Sequence, residues 1–356
     1  MVAIPEPMPR IEGSRAHLGR RAVLVLALLA TAIALLSLGY GAAGTDAART
    51  LWAVLTGAGG DATDRIVMLQ IRLPRMVAGL AVGASLAVAG TLMQGLFRNP
   101  LADPGLLGVS AGASLGAISA IVLGAALPMG VQAALGWSLV PIAAFVGGWV
   151  AMLVLYGIAT RAGRTSVATM LLAGIALAAL ISAFSGIVIY KADDDQLRDL
   201  TFWGMGSLAG ASWTKLAAAG PIMALAMAAS LRLARGLNAL ALGEAVALHV
   251  GADVQRVKRT AILAAAALAG SAVALSGGIG FVGIVAPHLL RLVIGPDHRF
   301  LLPASALFGG ALLVAADIIS RTLIAPAELP IGILTAMIGG PFFLWLLLSN
   351  RRVIDA

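Results

Sequence analysis

The 356-residue sequence contains no cysteine, which excludes disulfides, thiolate metal sites and cysteine-held iron–sulfur clusters. Charge is scarce as well: 11% of residues are Asp, Glu, Lys or Arg, against about 25% in a typical soluble domain. No G-x-x-x-x-G-K-[ST] phosphate loop occurs, so the chain does not bind ATP in that manner. The four histidines, His17, His249, His288 and His298, stand at no metal-ligand spacing. Ionisable side chains are nearly missing from the centres of the apolar runs, where a proton-coupled carrier keeps buried carboxylates or histidines. Asp317 is the nearest case, close to a run end, with Arg321 one turn later as its i, i+4 partner. These absences argue against a metal centre, an enzyme and a self-powered carrier.

What is present is apolar: 60% of residues are hydrophobic, and 43 are glycine. Runs of about 20 apolar residues mark membrane-spanning helices. Ten are expected, near 22–41, 75–96, 105–126, 139–160, 167–190, 213–234, 257–276, 279–295, 300–320 and 330–349. The fold class is therefore all-α and polytopic, one transmembrane domain over 1–356. The arginines at 10, 15, 20 and 21 resemble a signal-peptide leader, but no convincing cleavage site follows, so Arg21–Tyr40 reads as a retained first helix behind a tail at 1–20. With ten spans both termini share one side, and two-thirds of the 24 Lys and Arg residues fall on it. The positive-inside rule makes that side cytoplasmic. A net charge of +8 is thus topological, and does not point to nucleic acid.

Three loops stand out. Gly41–Ile71 is polar and glycine-rich. Lys191–Thr214 carries four aspartates and then Phe202, Trp203 and Trp213, read either as an interfacial aromatic belt or as a short helix at a pathway mouth. The third, 238–258, carries Glu244, His249, Asp253, Arg256 and Lys258, with helical patterns at Ala239–Leu248 and Ala252–Val257 on either side of Gly251. An ordered charged loop on the cytoplasmic side is expected to meet the partner that supplies energy. A faint internal repeat, inverted across the membrane, places Arg72, Gly90 and Pro100 on Arg259, Gly277 and Pro287.

Two motifs have bland readings. Gly278, Gly280 and Gly283 fit the dinucleotide pattern, but between two apolar helices rather than in a βαβ unit. Gly108, Ser110 and Gly112 fit the hydrolase nucleophile elbow, which needs a sheet, an acid and a base; His288 is the one plausible base. The small-x3-small pairs Gly79/Gly83 and Gly112/Gly116 are instead expected to be helix-packing surfaces. His288 reads as a capping or packing residue, or else as a transient haem contact.

Four blocks carry a family resemblance: Arg72–Arg75 (RLPR), Met93–Gly105 (MQGLFRNPLADPG), Gly280–His288 (GFVGIVAPH) and Ala327–Gly332 (AELPIG). They resemble the iron-siderophore, haem and cobalamin ABC-importer permeases, and the stretches Arg164–Thr169 and Asp199–Trp203 look most like the haem members. The resemblance implies a homodimer of ten-helix subunits in the bacterial inner membrane, two ATPase subunits that bind ATP, and a periplasmic binding protein. The cargo would be haem, passed through rather than held as a resident cofactor; a ferric siderophore or cobalamin is the alternative. The family's coupling helix falls on Gly243, Glu244, Ala245, His249 and Gly251. Binding-protein docking falls on Arg72, Arg75 and Arg321, expected as exposed cations on the outer face, although helix-end snorkelling also suits Arg321. The path and gate fall on Asn99, Leu101, Thr165, Ser166, Thr169 and Met170. Met170, Met205 and Tyr190 are conceivable haem contacts.

Overall fold

A computed structural model describes residues 12–40 and 62–349. Expectations for part of the 1–20 tail, most of the Gly41–Asp64 loop, and Arg351 and Arg352 lie outside the described residues.

The described chain is helical almost throughout: α1 (Glu12–Gly39), α2 (Leu73–Phe97), α3 (Val109–Leu123), α4 (Leu139–Ala159), α5 (Val167–Ile189), α6 (Asp194–Met205), α7 (Trp213–Arg232), α8 (Ala234–Ala241), α9 (Glu244–His249), α10 (Val254–Ser276), α11 (Val282–Ile294), α12 (His298–Leu323) and α13 (Ile331–Ser349). A two-residue hairpin, β1 (Thr160–Arg161) and β2 (Arg164–Thr165), joins α4 to α5. Eight helical stretches are long and apolar enough to cross a bilayer, and α11 and α13 are shorter apolar helices. All ten expected spans are therefore occupied. The aspartate- and aromatic-rich loop holds α6, which is the short-helix reading of that segment.

Helix starts follow local chemistry. Ser166, Asp193, Ser212, Asp253 and Asp297 each accept a backbone N–H from the first turn of the helix they precede, and Asp193 forms a reciprocal capping box with Gln196. The pattern at Ala239–Leu248 does not stay one helix. Gly243 takes φ +106, a conformation that glycine adopts without a Cβ penalty, so the chain breaks into α8 and α9.

Helices α2 and α10 form the centre: 72% of the most apolar window of each is buried, against 17% for α5 and α7. Small residues set the packing distance. A Cβ built on Gly83 would lie 2.2 Å from the Gly309 carbonyl oxygen, and one on Gly112 would lie 2.4 Å from that of Gly147. Gly79 sits against Val314, and Gly116 against the Ala143 backbone. Both small-x3-small pairs are thus contact surfaces, as lipid packing requires.

The residue pairing of the faint internal repeat is corrected. Gly90 lies inside α2 whereas Gly277 follows α10, and Pro100 lies in a loop whereas Pro287 is inside α11.

Two loops turn back into the bundle. After α2, Arg98 takes φ +51 and the chain reverses, bringing Asp103 and Pro104 against Gly283. Gly283 in turn lies 3.1 Å, from a built Cβ, to the Leu86 carbonyl. At 1.5 Å per residue, Leu86 is about 16 Å back along α2 from Phe97. From the other direction, Gly277–Phe281 enters with Phe281 at φ +68. Of the dinucleotide-like glycines, Gly278 and Gly280 belong to this second loop and Gly283 to the first turn of α11; Gly278 lies against the Gly204 carbonyl.

Gly90→Ala should destabilise the protein by about 1–3 kcal/mol or more, because its Cβ would lie 1.8 Å from the Gly283 carbonyl oxygen. Gly157→Ala, with nothing within 4 Å, should be neutral or gain up to about 1 kcal/mol. Thermal unfolding of both variants in detergent tests the contrast, and equal melting temperatures would refute it.

Candidate functional site

Polar groups gather at the two ends of the bundle. At one end, the first turn of α2 presents Arg75, whose fork is filled on both sides. Its Nη2 and Nε donate to Asp317 Oδ1 at 2.8 and 3.0 Å, and Nη1 and Nη2 donate to the two Glu328 oxygens at 2.8 and 2.9 Å. Arg321 Nε lies 3.5 Å from Asp317 Oδ2, the expected i, i+4 pair. Arg321 Nη2 also donates to the Ser37 carbonyl at 2.8 Å and its hydroxyl at 2.7 Å. Arg72 Nη1 donates to the Leu38 carbonyl at 2.8 Å. Both carbonyls belong to the last turn of α1, the negative end of that helix's dipole. The Arg75 hydrogen bonds hold the Glu328 carboxyl below its ordinary range, against the opposing effect of burial.

Arg72, Arg75 and Arg321 are all buried, with relative exposures of 4, 6 and 5%. This corrects the expectation of exposed docking cations. A guanidinium withdrawn from water needs carboxylates or carbonyls around it, and those supplied here are internal. Glu328 was legible in its sequence block but carried no assigned role, and nothing local links it to Arg75.

At the other end, α8 and α9 pack over the start of α10. Gly243 and Gly251, at φ +106 and +82, bound the six-residue α9. Glu244 opens α9 and pairs with Lys258 Nζ at 2.7 Å; the Lys258 side chain is 3% exposed and that of Glu244 45%. Lys258 Nζ also donates to the Thr165 carbonyl at 2.9 Å. The Thr165 N–H donates to Gln255 Oε1 at 3.0 Å, so both backbone groups of Thr165 are held from one face of α10. His249 Nδ1 lies 2.7 Å from the Ala245 carbonyl, within α9 itself. Leu242, Val246, Leu248 and Val250 point outward around these residues, leaving an exposed apolar patch.

A second polar tie holds α8. Asn238 Nδ2 donates to Asp297 Oδ1 at 2.7 Å, and Asn238 Oδ1 accepts from the His298 backbone N–H at 2.9 Å and lies 2.8 Å from its ring Nδ1. Burial works against the Asp297 carboxylate, but donation from Arg299 and Asn238 brings its pKa down to about 2.

The proposed gate residues divide. Asn99 is exposed, and its Oδ1 accepts the Leu101 N–H at 2.9 Å, shaping the turn out of α2. Ser166 caps α5 and bonds Thr169, both exposed, while Thr165 is buried in the hairpin. Met170 is fully buried, in the main core cluster that also holds Leu92, Met93 and Met152. Tyr190 is exposed and Met205 half-buried. The returning loop of Asn99 continues to Asp103, whose carboxyl borders a 250 Å³ cavity with Ser110, Ser114 and Phe281. Burial pushes the Asp103 pKa up, with the Gly105 N–H acting against it. Among the described residues no histidine lines that cavity, and neither ring nitrogen of His288 has a hydrogen-bond partner, so the Ser110–His288 pairing is not formed. His288 packs edge-on against Phe342, in line with its packing reading. Among the described residues, no cluster of His, Cys, Asp and Glu could hold a metal ion.

Comparison with known proteins covers nearly the whole chain. The profile of the FecCD transport family matches residues 27–349. The hemin transport system permease protein HmuU of Yersinia pestis is 45% identical over 330 residues, 93% of this chain and 94% of that protein. The cobalamin import system permease protein BtuC of Halobacterium salinarum is 45% identical over 82% of this chain and 75% of its own length. A solved structure of a metal-chelate type ABC transporter in an inward-facing conformation superposes with a TM-score of 0.79, at 32% identity, over 93% of this chain and 99% of that one.

The cost of removing a member of the Arg75 cluster should follow its burial. Arg75→Met leaves the buried Asp317 with the single 3.5 Å pairing to Arg321 and no hydrogen bond from Arg75, and should cost about 3–5 kcal/mol. Glu328→Gln, at a half-exposed position, should cost about 1 kcal/mol or less. Arg75→Met combined with Asp317→Leu should recover part of the loss. A double-mutant cycle on thermal stability measures this, and simple additivity would show that the pair is not coupled.

Proposed function

This chain belongs to the FecCD transport family, and we propose that it is the membrane-spanning subunit of an ATP-driven importer whose cargo is haem. It works with separate ATPase subunits and a periplasmic binding protein, as two copies around a shared path, with both termini in the cytoplasm. The observation that carries the cargo is coverage rather than identity. The hemin permease aligns along 93% of this chain and 94% of its own length, whereas the archaeal cobalamin permease, equally identical, aligns over 82% and 75%. Cobalamin import is the second reading, favoured by the several cobalamin permeases at 42–45% identity.

The polar features support a division of labour. Lacking a phosphate loop, and with no carboxylate at the centre of a long spanning helix among the described residues, the subunit needs outside energy. The 238–258 segment receives the ATPase through Gly243, Glu244, Ala245, His249 and Gly251, and the exposed Leu242, Val246, Leu248 and Val250 supply the apolar contact area. A patch of this kind on a water-facing loop is a partner surface. The opposite end receives the binding protein; there Arg72, Arg75 and Arg321 fix the shape of the receiving surface from within. Asn99, Leu101, Thr165, Ser166 and Thr169 form the cytoplasmic gate, and a path that only passes haem needs no axial ligand of its own.

Reconstitution of the complete transporter in liposomes should give haem accumulation that requires ATP. Uptake driven by a pH gradient alone would refute the importer, and cobalamin accumulating faster than haem would overturn the cargo. Leu248→Glu should reduce copurification of the ATPase about tenfold or more, in the range of an interface anchor. Undiminished copurification would remove α9 from the docking surface.

A further inference from the structure

We infer that Lys258 is the positioning residue that carries movement of the ATPase-facing helix α9 to the gate at the start of α5. The inference rests on the functional reading above and adds the means of transmission, which neither the coupling helix nor the gate supplies by itself.

The geometry is a three-element junction on one ammonium. Nζ of Lys258 holds the Glu244 carboxylate of α9 at 2.7 Å and the Thr165 carbonyl of the hairpin at 2.9 Å. Gln255, one turn earlier on the same face of α10, accepts the Thr165 N–H at 3.0 Å. Thr160 and Thr165 hydroxyls bond across the hairpin at 3.0 Å. The next residue, Ser166, caps α5 and leads to the exposed Thr169. Displacing Thr165 therefore displaces the first turn of α5.

The link is built to transmit rather than to yield. The Lys258 side chain is 3% exposed, and a buried ammonium cannot part from its carboxylate without standing uncompensated in a poorly solvated site. Glu244 is the sole carboxylate that reaches it among the described residues. When α9 shifts, Lys258 must follow Glu244, and the Thr165 carbonyl follows Lys258 or loses its donor. The flanks of α9 are by contrast soft. Gly243 and Gly251 stand at φ +106 and +82, and a Cβ on Gly251 would meet nothing within 4 Å. A short helix between two glycine joints, seated through Ala247 against Leu240 and Val254 and joined to α10 by the Glu244–Lys258 pair, can pivot as a unit and pull on Lys258.

Alternative ties do not reach the gate. Asn238 binds α8 to the α11–α12 turn through Asp297 and His298, and Asp253 is spent capping α10. The exposed Arg256 and Arg259 have no hydrogen bond or ion pair through their side chains to β2 or α5.

The test uses the complete transporter, with ATPase and binding protein, in liposomes. Lys258→Met keeps the length and apolar character of the stem and removes the charge. The ATPase should still copurify with this variant, while cargo moved per ATP hydrolysed should fall about tenfold, a typical size for coupling between sites. A second readout follows the gate itself. Because the chain lacks cysteine, Arg164→Cys gives a unique position for a nitroxide on the exposed strand beside Thr165. Its spectrum should change when a non-hydrolysable ATP analogue is added to the otherwise unaltered complex, and should not change with Lys258→Met. Gln255→Met removes the second hold on Thr165 and should give a smaller loss in both readouts; it decides the matter if Lys258→Met fails to fold. Unaltered transport per ATP and an unaltered spectral response would overturn the inference. So would loss of ATPase copurification with Lys258→Met, since that would place Lys258 in docking. If the unmodified complex shows no ATP-dependent transport at all, the importer reading fails instead, and the two failures are distinct.

Discussion

The approach of backbone to backbone is the constraint on which the rest of this structure depends. In lipid, apolar side chains gain little by leaving the solvent, so helices associate through close van der Waals contact. Here the contacts are made at Gly83 against Gly309, Gly90 against Gly283, and Gly112 against Gly147, where no side chain separates the chains. That closeness holds α2 at the centre. It also leaves room for the two loops that fold back into the bundle, because Gly283 rests on the Leu86–Gly90 stretch of α2 while it supports Asp103 and Pro104.

Charge is handled by the same economy of space. Both polar ends bury cations, and each cation reaches groups outside its own turn of helix. Arg75 reaches Asp317 and Glu328, Arg321 reaches Ser37, and Lys258 reaches Glu244 and Thr165. The ends differ in what these contacts join. Around Arg75 they tie the long helices α1, α2 and α12 to one another and to the segment before α13. Around Lys258 they tie a short hinged helix to a hairpin. The first arrangement resists change of shape, whereas the second has few contacts and flexible joints, the character of elements that move in switching.

The ten spans were legible because a run of about 20 apolar residues has one explanation in a helical membrane protein. Depth was not. Nothing in Asn99–Gly108 says whether that glycine- and proline-rich segment lies at the surface or folds back, since the answer is the contact between Gly283 and Leu86. Burial of the arginines was missed for a related reason: a cation at the end of an apolar run looks exposed until its distant carboxylates are placed beside it. The burial of Met170 was not legible either, because the face of α5 that turns inward is set by packing against α3 and α4. The Glu244–Lys258 pair left no periodic signal, as its members flank a break in helical structure.

The first helix shows how such remote contacts constrain a whole protein. Only 28% of the most apolar window of α1 is buried, so by area alone it looks dispensable, a generic anchor at the edge of the bundle. Yet its last turn offers Ser37 and Leu38 to two guanidiniums, and at its other end Gly19 lies against Phe300 on α12. An unrelated hydrophobic segment would replace α1 only if its last turn ended at the same place, within reach of both guanidiniums, and offered a hydroxyl where Ser37 stands. For this chain, hydrophobicity inserts the first helix, but the position of its end is what the bundle uses.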